Sequence, residues 1–137
     1  MDIKSVYDIA GRAMAAQLVR LNTVASNLAN AGSTTGDPNT TYKPLKPIFE
    51  TQYSDLVKKN GVATVDAIEV KEIKREPIKS YMPSHPAANK EGYIFKAPVN
   101  IDEEMVDMME ASRQYQNNVE VVTTLRALTM RTLQIGK

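Results

Sequence analysis

Both ends of this chain carry apolar side chains at the spacing of a paired helix, and the stretch between them has too few large apolar groups to cover both. Tyr7, Met14, Leu21 and Leu28 recur every seventh residue. Ala10, Gln17, Val24 and Ala31 form a second line three residues further on. A seam sustained over three repeats predicts a helix from about Ile3 to Ala31 that packs along its length against another helix. Asp2 or Ser5 can cap its start, and Asn30-Ala31-Gly32 can stop it. Gly11 is a weak point, costing on the order of 1 kcal/mol relative to alanine.

A second helix is predicted from Asn100. Asn100 is a good N-cap and Glu103 follows three residues later, the spacing of a capping box. Asp102, Glu103, Glu104, Asp107 and Glu110 crowd the first turns, where each opposes the positive end of the helix dipole for about 0.3–1 kcal/mol. Met105, Met108, Tyr115, Val119, Val122 and Leu133 then recur near heptad spacing, with Val121, Leu125, Leu128 and Ile135 on an adjacent face. So wide an apolar surface predicts more than one neighbour. The expected fold class is mainly α: two long terminal helices forming a coiled-coil-like pair, joined by a small irregular and β middle region. The expected divisions are 1–32, 33–99 and 100–137.

The middle reads as turns and short strands. The cluster from Ser33 to Thr41, with Gly36 and Pro38, predicts a loop over 32–47, and Pro44 and Pro47 keep its end extended. Strands are expected over 48–80. Phe49, Thr51 and Tyr53 share one phase. Val65 and Ala67 alternate, and Ile68 and Val70 then take the opposite phase, which predicts a bulge. The charged run from Lys71 to Glu76 predicts a solvated edge, and Gly92 to Lys96 a last short strand.

Such a middle cannot bury two long stripes. Pairing the helices with each other covers one stripe of each and leaves Leu18, Ala25 and the second face of the C-terminal helix exposed. Ordering a residue costs roughly 1–2 kcal/mol, so an isolated two-helix unit is marginal. The termini are therefore expected to be fully ordered only against copies of the chain or related chains.

The chemistry the sequence can support is narrow. Seventeen basic against sixteen acidic residues give a net charge of +1, without the basic excess that nucleic-acid binding needs. There is no cysteine, hence no disulfide or thiolate chemistry. No apolar run approaches the ~18 residues that span a bilayer. The N-terminus lacks a basic first segment, and Asp8, Gly11 and Arg12 interrupt any signal-peptide core. His85, the single histidine, lies between Ser84 and Pro86 and reads as a turn residue rather than a metal ligand. The carboxylates after Asn100 read as dipole complementarity rather than a cation site. No phosphate loop, nucleophile triad or dinucleotide fingerprint occurs. No catalytic residue, cofactor, metal or small-molecule substrate is expected.

Polar residues on the helices leave two readings open. Asn27 and Asn30 can bond to neighbouring subunits or to the returning loop, fixing register as a buried asparagine does in coiled coils, or can cap the helix end locally. Gln17 can set register or face solvent. Arg113 and Tyr115 can bridge subunits or form an intramolecular surface pair worth ~0–1 kcal/mol. Methionines such as Met105 and Met108 suit packing against non-identical neighbours.

These same residues resemble a known family. Leu21-Asn22-Thr23-Val24-Ala25-Ser26-Asn27-Leu28-Ala29-Asn30-Ala31 is similar to the N-terminal signature of bacterial flagellar rod and hook proteins. The segment from Asn100 to Asn118, with Glu104-Met105 and Ser112-Arg113-Gln114-Tyr115-Gln116-Asn117-Asn118, resembles the matching C-terminal signature. Pro83-Ser84-His85-Pro86-Ala87-Ala88-Asn89 before Gly92-Tyr93 resembles a segment of the proximal-rod members, as does Thr40-Thr41-Tyr42-Lys43. Gly32, Ser84 and Asn89 depart from the common pattern at loop positions. The resemblance implies a structural subunit of the proximal rod, exported by the flagellar type III apparatus without a cleaved signal and assembled in the periplasm. Its partners would be copies of itself and other rod proteins, with inner-membrane ring and export-gate proteins nearby, and it would carry torque toward the hook. Candidate assembly contacts are Tyr7, Met14, Gln17, Leu21, Val24, Asn27, Leu28 and Asn30 on the first helix, and Met105, Met108, Arg113, Tyr115, Val119, Val122, Leu125 and Leu128 on the second. The contrasting reading is a soluble helical-hairpin adapter or export chaperone that binds a single partner.

Overall fold

A computed structural model describes the chain over residues 3–52 and 64–135. Asp2, offered as a cap, and Tyr53, offered as a strand residue, lie outside the described residues. The architecture is mainly α, with two long helices and a small β middle. Helix α1 spans Ile3–Asn30 and helix α2 spans Ile101–Ile135. They run antiparallel, because Asn27 meets Glu104 while Arg20 meets Asp107 and Glu110. α1 stops where Asn30 was expected to stop it. There Ala31 N–H reaches back to Leu28 O and Ser33 N–H to Asn30 O. α2 begins as expected: Asn100 Oδ1 accepts from the N–H groups of Asp102 and Glu103. The capping box itself is not made. Glu103 turns its carboxylate to Arg75 instead, because a full charge within reach outbids a backbone N–H on the solvated first turn.

The middle forms two small antiparallel sheets. β2 (Leu45–Gln52) and β3 (Thr64–Glu72) pair as a ribbon that packs on α1. Ile48 pairs with Glu69 but Phe49 with Ala67, so Ile68 is the extra residue of a bulge, where the sequence phase switches. The other sheet has the order β1-β5-β4, from β1 (Thr34–Thr35), β5 (Tyr93–Lys96) and β4 (Ile78–Tyr81). Thr34-Thr35 was expected to be loop. It is recruited into a ladder with Phe95 and Lys96, so tertiary pairing overrides a turn-rich local composition. A 3-10 turn, Pro38–Thr40, follows, capped by the Asp37 carboxylate on Asn39 N–H.

The core is thin and built of small residues: Ala10, Ala16, Val24, Ala97 and Ala111 are buried, with Ile94 its largest fully covered apolar side chain. Alanine lets the two helix backbones approach closely but buries little area per residue, at ~25 cal/mol per Å². The connection from β4 to β5 depends on one backbone conformation. His85 is a turn residue, its Nδ1 accepting from Ala87 N–H. Asn89 Oδ1 accepts from the N–H groups of Glu91 and Tyr93, and Gly92 closes the turn at φ +79°. A Cβ on Gly92 would lie 2.9 Å from the Tyr81 ring and 3.1 Å from Pro83 Cβ. Gly92→Ala is therefore expected to destabilise by about 2 kcal/mol, the left-handed penalty plus displacement of Tyr81. A urea melt of the purified chain checks this; an unchanged midpoint would mean the turn does not anchor the sheet.

Candidate assembly surface

At the centre of the molecule a single side-chain amide joins both helices and the ribbon. Asn27, 1% exposed, lies in the last two turns of α1. Its Oδ1 accepts from Leu45 N–H at 2.8 Å and from the Tyr42 hydroxyl at 2.9 Å. Its Nδ2 donates to Leu45 O at 2.9 Å and to Glu104 Oε1 at 3.0 Å. All four hydrogen-bonding positions of the amide are filled. Leu45 is free to accept this pairing because the neighbouring ladder bond runs from Ile73 N–H to Pro44 O. Leu45, opposite Glu72, therefore turns both its N–H and its C=O away from β3. With the Tyr42 proton committed to Asn27, Ser26 Oγ donates to Tyr42. Of the alternatives for Asn27, the bond to the returning loop is the one made within the chain. Asn30 bonds locally, its Nδ2 donating to Ser26 O.

Two sets of ion pairs reinforce this junction. Arg20, partly buried, donates to Asp107 at 2.8 Å and Glu110 at 3.1 Å. Burial pulls its guanidinium pKa down, but the hydrogen bond and charge of Asp107, with those of Glu110, outweigh that and hold it above the ordinary value. On the outer side Arg75 and Lys46 converge on Glu103, in exposed contacts worth little singly.

The remaining candidates divide by face. Glu104, Met108, Ala111, Tyr115, Asn118, Val122, Leu125 and Thr129, alternately four and three residues apart, are the buried or half-buried row of α2. The expected heptad line is thus corrected. Met105, Val119 and Leu133 are exposed, and Leu125, expected on the adjacent face, lies in the covered row. The covered positions include Glu104, Asn118 and Thr129, which an apolar pattern passes over. On α1, Val24 is buried, Tyr7, Met14, Leu21 and Leu28 are half-buried, and Leu18 and Ala25 are exposed as expected. Gln17 is half-buried, and its Oε1 meets no hydrogen-bond donor. Arg113 is exposed and makes no ion pair with the described residues.

What is left uncovered is large and apolar. Ile101, Met105, Val106 and Met109 stand out from the first turns of α2, each 51–60% exposed, and Val121, Leu128, Met130, Leu133 and Ile135 from its second half. Contiguous exposed apolar faces on a helix mark an interaction surface. No described helix is long and apolar enough to cross a membrane.

Comparison with known proteins matches both ends. Residues 8–36 fit the model of the flagella basal body rod protein family. Residues 90–135 fit that of the flagellar basal body rod FlgEFG protein C-terminal region. The flagellar basal-body rod protein FlgC of Escherichia coli is 39% identical over 138 residues, all of both chains. Its counterpart from Salmonella typhimurium is 38% identical over the same span. That from Aquifex aeolicus is 34% identical over all of this chain and 99% of its own. The chain belongs to the flagellar basal-body rod family. It is a structural rod protein rather than an enzyme, and the matched segments are largely the two helices whose faces are uncovered.

Asn27→Ala strips partners from Tyr42, both Leu45 backbone groups and Glu104, and unsatisfied buried groups cost about 1–3 kcal/mol each before water enters. A net loss of about 3 kcal/mol is expected in urea unfolding. Asn27→Asp should cost at least as much near neutral pH, because it sets acceptors against Leu45 O and Glu104. A change under about 0.5 kcal/mol in both would mean this amide does not hold the ribbon to the helices.

Proposed function

We propose that this chain is a subunit of the proximal part of the flagellar rod, polymerising through the uncovered faces of its two helices and transmitting torque toward the hook. The observation that carries the reading is the coincidence of family match and exposure: the matched helices hold their register internally through Asn27 yet leave the apolar face of α2 open. The two helices pair in a coiled-coil-like manner, a reading supported by the alternating four- and three-residue spacing of the covered row. The rod-forming ends correspond to 1–32 and 100–137, and the ribbon within 33–99 packs on α1 beside them. Neighbours are copies of the chain and related rod proteins, with ring and export-gate proteins of the inner membrane close by. The chain reaches the periplasm through the flagellar type III apparatus.

Candidate contacts then have two roles. Val24, Leu125 and Val122 close the helical pair, whereas Met105, Val119 and Leu128 project from it toward neighbours. The roles separate by experiment. Leu128→Asp changes an exposed residue, so the monomer should melt within about 0.5 kcal/mol of the parent. In assembly the same carboxylate is buried unpaired, at a cost of several kcal/mol. The expected result is a folded, exported protein, basal bodies that end at the inner-membrane ring under the electron microscope, and cells that do not swim. Leu125→Asp should instead lower the stability of the monomer itself. Normal swimming with Leu128→Asp would remove this face from the interface, and an intact rod in a deletion strain would remove the subunit reading.

A further inference from the structure

We infer that Met105 and Met109 are an oxidative modification site: on the free subunit their sulfurs accept an oxygen atom from small two-electron oxidants, hypohalous acids or peroxides, and the resulting sulfoxides keep the subunit out of the rod. The inference rests on the subunit reading above and adds a chemistry that switches it off. The chain has no cysteine and no tryptophan, so its thioethers are the side chains most readily oxidised. With hypochlorous acid, the sulfur lone pair bonds the oxygen as the oxygen–chlorine bond breaks. Sulfur is oxidised by two electrons, chlorine leaves as chloride, and the hydroxyl proton passes to water. With hydrogen peroxide the oxygen–oxygen bond breaks and water leaves.

The fold selects which methionines react. Met108 and Met109 are adjacent in sequence, yet Met108 is half-buried in the covered row of α2 and Met109 is 60% exposed. Met105, 51% exposed, lies four residues before Met109, so the two sulfurs share one face beside Ile101 and Val106. Met14 on α1 is half-buried as well. Met82 and Met130 are open, but neither has a second methionine within four residues, and Met82 lies just past β4, outside both matched segments. On the free chain a sulfoxide at Met105 or Met109 faces water and leaves the fold alone. Buried between subunits it is a strong acceptor without a partner. Its own stretch offers no cation to meet it: residues 101–112 hold five carboxylates and no Lys, Arg or His. The N–H groups of Asp102, Glu103 and Glu104 are all taken by Asn100. Two sulfoxides one turn apart place this penalty twice on the same patch. Methionine sulfoxide reductases remove the oxygen, so the switch is reversible.

The site and its consequence are tested in turn. The purified chain is treated with a small excess of hypochlorous acid, or with hydrogen peroxide, and each methionine is followed by peptide mass spectrometry. Met105 and Met109 should gain oxygen about fivefold faster than Met108 and Met14, with circular dichroism unchanged. Equal rates at Met108 and Met109 overturn the site. For the consequence, the chain is induced in a deletion strain with and without sublethal hypochlorous acid, and the swimming restored is expressed as the ratio of the two. Met105→Leu with Met109→Leu removes both sulfurs and should raise that ratio several-fold over the parent. Met105→Gln with Met109→Gln, neutral polar stand-ins for the sulfoxides, should give a folded chain that does not restore swimming even without oxidant. A ratio no higher in the leucine pair, or normal swimming with the glutamine pair, overturns the switch. An intact rod in the deletion strain would instead remove the subunit reading, and it would leave the oxidation pattern of the purified chain as it is.

Discussion

The molecule depends on one fully satisfied amide. A buried asparagine is costly unless each of its hydrogen-bonding positions is met, and Asn27 meets all four across three elements. Because each bond is directional, a slip of α1 along α2, or of β2 along α1, breaks at least one and strands a polar group out of water. Apolar contacts among alanines could not impose that register, since they are weak per residue and tolerate sliding. The polar junction fixes the arrangement, and the small residues around it let the backbones come close enough to make it.

The same economy explains the uncovered surface. Among the described residues the core is mostly alanine, with Ile94 its largest fully buried apolar side chain, and much of the Met, Leu, Ile and Val of α2 stays outside. In a monomer this would be a liability. In a structural subunit the apolar area is held back from folding and available for assembly, where methionine can fit neighbours of differing shape.

Much of this could be read from the residues, where the signal was local. Both helix spans followed from heptad lines, Asn100 and Asn30. The phase change at Ile68 foretold the bulge, and the single histidine fell in a turn. The covered row of α2 did not follow from apolar spacing, because Glu104, Asn118 and Thr129 occupy positions where the pattern demands hydrocarbon. Glu104 can be buried there only because Asn27, 77 positions earlier in the chain, points an N–H at it. Arg20 and Tyr42 give no local signal for the same reason: their partners are set by how α1, α2 and the ribbon come together, which no window of neighbouring residues contains. The two-residue strand Thr34–Thr35 is stranded only by virtue of Phe95 and Lys96.

Torque gives these two kinds of contact different tasks on the proposed reading. A shaft under twist must not let its subunits change internal shape, yet it must let adjoining subunits share strain. Directional bonds at Asn27 and the Arg20 fork resist sliding of one helix on the other, because a displacement of an ångström or two takes a hydrogen bond beyond its useful range. Dispersion contacts between exposed side chains lose strength gradually with displacement and re-form in a new register, since each atom pair contributes only ~0.1–0.2 kcal/mol. A subunit that is polar and locked inside, apolar and yielding outside, therefore deforms at its interfaces before it deforms in its fold. Under load, the seams between copies yield first, and the junction around Asn27 holds.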